Sequence, residues 1–225
     1  MRVSAHTAPG RLARLRGLYV IVGSAAAGDP VEQARAAVEG GAGVVQVRVK
    51  GAPSGEVLEI ARRVVDLARG RALVLVNDRA DLAALAGADG VHVGDDDLPP
   101  AEARRVVGPD RLVGRTCRTL EDGRAAIAEG ADHVGYGPIF EPRAKVVDAA
   151  PRGLEALGDV CRGLGAPVVA IGGIDLATVA AVARSGAACA AVISAVLGAP
   201  EPRESARRLA HAFEAGRVSA GGRPS

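Results

Sequence analysis

Three apolar runs in this 225-residue chain end in side chains that carry charge. The run VVQVRVK sets Gln46, Arg48 and Lys50 at every second position. They therefore share one face of a strand, while Val45, Val47 and Val49 share the other. The run LVLVN ends in Asn77 and is followed by Asp78 and Arg79. A third stretch, GVHVGDDDLPP, carries His92 and then Asp95, Asp96 and Asp97. An arginine grips phosphate through paired hydrogen bonds, and a lysine acts on it as a mobile point charge. Carboxylates at neighbouring strand ends beside such cations describe a Mg²⁺–diphosphate site. Magnesium favours one or two carboxylates completed by phosphate oxygens and water. The plainer alternatives are a solvated strand face, with Arg48 paired to a helix carboxylate, and helix capping by Asp78 or Asp97.

A second anionic patch lies near the C-terminus. Gly172 and Gly173 follow the run PVVAI, and Ile193 and Ser194 end the run AAVIS. Backbone N–H groups and a helix N-terminus there suit a monophosphate, although glycines also serve simple turns. No serine or cysteine nucleophile has a base beside it, and Cys117 is isolated, so covalent catalysis is not indicated. His6 and His211 read as surface residues, and His133 opens a strand at the end opposite the charged ones.

These residues can meet only if their strands run side by side. Strand-like runs cover 18–22, 44–49, 73–77, 90–94, 111–115, 133–137, 167–172 and 190–195. Amphipathic helical stretches cover 30–41, 54–70, 79–87, 100–108, 119–130, 151–165, 175–186 and 201–216. Thr119 and Asp175 sit where N-caps belong, and Gly40, Gly70, Gly87, Gly108, Gly130 and Gly186 where helices stop. Strict alternation of strand and helix predicts parallel strands with helices outside. Eight such units predict a closed (β/α)₈ barrel of the TIM type, an α/β fold, with an open doubly wound sheet as the alternative. Chemistry in a barrel gathers at the C-terminal ends of its strands, where Gln46, Arg48 and Lys50 would climb to the rim. The domain plan is an N-terminal extension over 1–17, one barrel over 18–215, and a frayed tail over 216–225.

Composition excludes several classes. Lys+Arg 28 against Asp+Glu 26, with two Phe, two Tyr and no Trp, leaves neither a basic stripe nor stacking rings for nucleic acid. No run is apolar for long enough to span a membrane, and the basic N-terminus lacks the apolar core of a secretory signal. Three scattered cysteines fit a reducing cytoplasm. The expected partners are small molecules, and the sequence is compatible with a homo-oligomer without specifying one.

Taken together, VVQVRVK, LVNDRADLAALAGADGVHVG with Asp97 and Leu98, GYGPIF, Lys145, VVAIGGI and AAVISAV resemble the thiamine phosphate synthase family, in order and spacing, from Leu18 to Ala199. The resemblance implies a (β/α)₈ barrel transferase that joins an aminopyrimidine diphosphate to hydroxyethylthiazole phosphate and releases diphosphate. It implies that Gln46, Arg48, Lys50 and Asn77 hold the pyrimidine diphosphate, with His92 just inside the mouth. Asp78 and Asp97 would carry Mg²⁺, and Thr116 stands where the family has a serine near the pyrimidine. Lys145 would bind diphosphate, joining Arg48 and Lys50 as the cations that carry catalysis. Gly172 or Gly173, with Ile193 and Ser194, would hold the thiazole phosphate. In that family the bond to diphosphate breaks first, leaving a stabilised pyrimidine cation that the thiazole nitrogen attacks.

The chain departs from the family pattern inside the site. Where the family has Pro-Thr-x-Thr-Lys after GPIF, residues 141–145 read Glu-Pro-Arg-Ala-Lys. Pro142 and Ala144 replace both phosphate-binding threonines, and Arg143 adds a cation that partly restores anion binding. Asp95 replaces a usual glutamine, and Arg118 stands where the family often has histidine. The related thiazole tautomerases use a histidine there for proton transfer, so Arg118 counts against that activity. Another phosphate-handling barrel enzyme and a non-catalytic phosphate binder are the remaining alternatives, the latter resting on the replaced threonines. Loop 137–150 is compatible with a lid and equally with an ordinary surface loop.

Overall fold

A computed structural model describes residues 9–23, 28–141 and 150–221. Its strands are Gly17–Val22 (β1), Val44–Val47 (β2), Leu73–Asn77 (β3), Gly90–Val93 (β4), Leu112–Cys117 (β5), His133–Tyr136 (β6), Val168–Ile171 (β7) and Cys189–Val192 (β8). Each pairs in parallel with the next, and β8 pairs with β1 to close the barrel. The helices are Pro9–Arg14 (α1), Pro30–Glu39 (α2), Ser54–Ala68 (α3), Ala80–Leu85 (α4), Pro100–Val107 (α5), Leu120–Ala128 (α6), Gly153–Leu164 (α7), Val179–Arg184 (α8), Ser194–Leu197 (α9) and Pro202–Gly221 (α10).

Alternation along each strand separates two cores. In β2, Val45 and Val47 face the helices and join the large strand–helix core, whereas Val44 faces the barrel interior. Tyr19, Leu73, Leu75 and Leu112 fill that interior, and Leu15 closes it below just after α1. Because these strands are buried on both faces, they read as nearly continuous Val/Leu/Ile runs. Local chemistry fixes the helix starts. Asp29 accepts the Val31 N–H (2.9 Å) with Pro30 in the first turn of α2, and Thr119 and Asp122 form a reciprocal capping box on α6.

Several boundaries differ from expectation: β5 runs on to Cys117, and α8 begins at Val179 with Thr178, not Asp175, at its N-cap. Strand β2 ends at Val47, because Val49 is held by packing against the core after sheet pairing has stopped. Strand β8 ends at Val192, and Ser194 opens the short α9. Gly216, expected to begin a frayed tail, lies inside α10, which continues to Gly221. A Cβ at Gly216 would sit 2.4 Å from the Ala180 carbonyl, so the glycine serves close packing against α8. Residues 222–225 are outside the described region.

Candidate active site

The ends of β2, β3 and β4 bring the first predicted cluster together. The Lys50 ammonium lies 3.4 Å from the Asp78 carboxylate. Asp78 has φ 62°, the left-handed region that L-residues with side chains seldom occupy. Its N–H donates to the His92 carbonyl (2.8 Å), which fixes the strained backbone against β4. Such strain persists where surrounding contacts over-determine it, commonly at functional sites. Burial and the adjacent Asp97 carboxylate push the Asp78 carboxyl above its ordinary pKa, and Lys50 only partly offsets this.

Neither aspartate caps a helix. α4 begins after Arg79 and α5 after Pro99, both without a side-chain cap. Asp97 instead accepts the Gly94 N–H at 2.7 Å, folding the loop so that its carboxylate faces Asp78. Asp95 turns away, held by Arg115 (3.3 Å) and Arg118. Two adjacent carboxylates, of which Asp78 is the one paired with a lysine, are a mismatch that a cation would relieve. No group of three or more His, Cys, Asp or Glu suited to a metal occurs among the described residues. The donor set therefore fits an ion that takes only two protein carboxylates and draws its other ligands from phosphate and water, as Mg²⁺ does.

Below the carboxylates is a polar floor. Gln46 is buried, and its Nε2 donates to the Tyr19 hydroxyl at 2.7 Å. Asn77 is in register with His92 across β3 and β4. His92 Nε2 and Thr116 Oγ1 are 3.0 Å apart, so these two predicted site residues are in contact. The His92 ring stands against His133, with centroids 5.9 Å apart. Glycine makes room for both: a Cβ at Gly114 would meet His133 Nε2 at 2.3 Å and His92 Nδ1 at 2.6 Å. Burial lowers the His92 pKa to about 4, aided by Arg115. Burial and then His92 lower that of His133 to about 3. Both rings are neutral at pH 7, so His92 acts as a hydrogen-bonding group. Arg48 is exposed at the rim; its N–H donates to the Val22 carbonyl (2.8 Å), and its side chain has no hydrogen-bond or ion-pair partner among the described residues.

The second patch forms around β7 and β8. Segment 138–141 runs along the end of β7, with Ile139 N–H donating to the Ile171 carbonyl (2.9 Å) and Phe140 N–H to that of Gly172 (3.0 Å). A Cβ on Gly172, at φ 100°, would lie 2.5 Å from Pro138 Cβ. Gly173 likewise faces Phe140 Cβ and the Glu141 carbonyl, each at 2.7 Å. Both glycines thus have a structural role, admitting the segment that leads toward Arg143 and Lys145. Those two cations lie in 142–149, outside the described residues. Ile193 and Ser194 are exposed at the end of β8.

Tyr19, and Arg115 as the anchor of Asp95, were not singled out by sequence. Their partners lie on other strands, and only the barrel register brings them together. The alternation within RLVGR does send Arg115 away from the Thr116 face, which is the one signal available.

Residues 18–196 match the family model described as thiamine monophosphate synthase. The chain belongs to this family. A thiamine-phosphate synthase of Anaeromyxobacter dehalogenans (strain 2CP-C) is 68% identical over 220 residues, covering 98% of each chain. One from Myxococcus xanthus (strain DK1622) is 50% identical over 84% of this chain and 88% of that protein. Among solved structures, thiamine phosphate pyrophosphorylase from Pyrococcus furiosus superposes with a TM-score of 0.83 at 37% identity, covering 91% of this chain and 98% of the other. Membership in the thiamine monophosphate synthase family accounts for the barrel.

Proposed function

We propose that this chain is a transferase that couples 4-amino-2-methyl-5-hydroxymethylpyrimidine diphosphate to hydroxyethylthiazole phosphate, releasing diphosphate. The observation that carries this reading is the Lys50–Asp78–Asp97 cluster at the barrel mouth of a chain in this family. Arg48 and Lys50 hold the diphosphate, and their charges stabilise it as it leaves. Asp78 and Asp97 would hold Mg²⁺, which when bound would supply further positive charge to the leaving group. Gln46 and Asn77 orient the pyrimidine over the floor formed with Tyr19, while Thr116 and neutral His92 offer hydrogen bonds at its edge. The C–O bond to diphosphate breaks, its electron pair leaving with the diphosphate, and the thiazole nitrogen attacks the pyrimidine cation. No protein nucleophile is required. Holding two reactants in contact and excluding water from the cation is the barrel's contribution.

Gly172, Gly173, Ile193 and Ser194 hold the thiazole phosphate, with Arg143 and Lys145, which follow GPIF in the sequence, as the cations that replace the missing hydroxyls. No helix among the described residues is long and apolar enough to cross a membrane, which agrees with soluble small-molecule substrates and a cytoplasmic setting. The test is incubation with both substrates, with Mg²⁺ or with chelator, following thiamine phosphate and diphosphate by chromatography. Metal-dependent formation of both supports the reading. Tight binding of the pyrimidine diphosphate without product would mean that the second substrate differs.

A further inference from the structure

The closed end of the barrel holds a second concentration of positive charge, remote from the mouth. A cavity of about 250 Å³ is lined there by Arg14 at the end of α1, Arg16 and Gly17 entering β1, Gly43 before β2, Arg71 before β3, and Glu214 on α10. Elsewhere at this end arginines are matched with carboxylates: Arg11 with Asp89 at 2.9 Å, and Arg104 with Asp132. Arg14 and Arg16 have no side-chain hydrogen bond or ion pair among the described residues. Arg71 is steadied by the Leu67 carbonyl, to which Nη2 donates at 2.6 Å, and it has no carboxylate partner among the described residues. Glu214 is already paired with Arg217 at 2.8 Å.

Three guanidinium groups facing one concavity, with no carboxylate of their own, repel one another and attract an anion. The backbone adds little, because the Gly17 N–H is bonded to the Ala188 carbonyl and the Gly43 N–H to that of Leu18. Recognition would therefore come from the arginine forks, whose geometry matches phosphate. The volume is below the usual range for drug-sized ligands, roughly 300–1,000 Å³, so the occupant is compact. No aromatic side chain lines the cavity, so a nucleobase would find no ring to stack on. The Glu214 carboxylate, which also lines the cavity, can accept a hydrogen bond from a hydroxyl or amino group.

We propose that this cavity is a second anion site that binds a compact organic phosphate or diphosphate bearing a hydroxyl or amino group, separate from the catalytic mouth. The site does not depend on what reaction the mouth performs. Inorganic diphosphate, titrated calorimetrically into the full chain in chelator and low salt, is the probe. To silence the mouth, the titration uses Arg48→Ala/Lys50→Ala/Arg143→Ala/Lys145→Ala protein, in which about one diphosphate per chain should still bind. Adding Arg14→Ala and Arg16→Ala, both at exposed positions, should weaken that binding at least tenfold, with an unchanged circular dichroism melt. The otherwise native chain should likewise lose one bound diphosphate on Arg14→Ala/Arg16→Ala while keeping its basal turnover. No binding to the silenced protein, or affinity indifferent to the arginine pair, would overturn the proposal.

Discussion

Lys50 and Asp78 sit 3.4 Å apart across the ends of β2 and β3, and the same aspartate is crowded on its other side by Asp97. The lysine thus links the cation proposed to meet diphosphate with the carboxylates proposed to hold Mg²⁺. On that proposal either ligand, on arrival, would compete for a group already paired, and binding of metal and diphosphate would be interdependent. Asp78 is therefore the most informative position to change.

Asp78→Asn is expected to lower turnover by about a hundredfold, equivalent to about 3 kcal/mol of lost transition-state stabilisation. Asparagine tolerates the left-handed backbone at this position, so the effect reports on charge. The same change should raise the melting temperature of metal-free protein at neutral pH. The sign follows from linkage: the native carboxyl has a raised pKa, so the native state binds more protons than the unfolded chain. Stability is therefore lost as pH rises from the unfolded value through the folded one. Calorimetric melts with and without Mg²⁺ check it, and an unchanged metal-free melt would argue against carboxylate crowding.

Tyr19→Phe removes the acceptor that holds the Gln46 carboxamide, leaving its buried Nε2 unpaired. The stability cost should be about 1–3 kcal/mol, the penalty of an unsatisfied buried donor. If Gln46 orients the pyrimidine, KM for the diphosphate substrate should rise several-fold while the response to Mg²⁺ stays the same. Denaturant titration and steady-state kinetics separate the two effects. A stability loss with unchanged KM would confine the pair to a structural role.

The eight βα units were legible because burial on both faces leaves a signature in each strand: LVLVN is apolar at four of its five positions and lies at the boundaries read from it. Polar contacts across the barrel were not legible. Gln46 can reach Tyr19 only because β1 pairs with β2 with Ile21 opposite Gln46, and no local pattern encodes that register. Arg118 and Asp95 are likewise joined only by the adjacency of β4 and β5. Asp78 and Asp97 were readable as residues, but their mutual crowding depends on the turn that Asp97 makes with Gly94. α9 was hidden because SAVL continues the apolar run of β8, and four residues carry no helical periodicity.

The histidine pair predicts an acid sensitivity. His92 and His133 have pKa values depressed to about 4 and about 3, whereas unfolded histidine titrates near 6.5. Between those values the unfolded chain holds more protons than the native one, so stability falls as pH drops below about 6.5 and levels off only near the folded values. The slope of unfolding free energy between pH 6 and 4.5 should shrink in His133→Phe relative to the native chain. Urea titrations at several pH values measure it, and equal slopes would show that His133 is not buried as a neutral ring.

Arg48 supplies the sharpest division between folding and binding. It is exposed, and none of its side-chain atoms is engaged by another described residue. Nothing in the fold needs its charge, so Arg48→Ala should leave the melting temperature within about a degree, as an uninvolved surface change does. Affinity for the pyrimidine diphosphate should nonetheless fall by about ten- to a hundredfold, the value of one charge-assisted hydrogen bond of about 1.5–3 kcal/mol. Arg48→Lys should recover only part of this, because an ammonium cannot present the paired donors of a guanidinium. Calorimetric titration of the substrate into all three proteins, with the thiazole phosphate withheld to prevent turnover, provides the comparison. Equal affinities would remove Arg48 from the diphosphate grip and leave Lys50 as its only described cation on β2's loop.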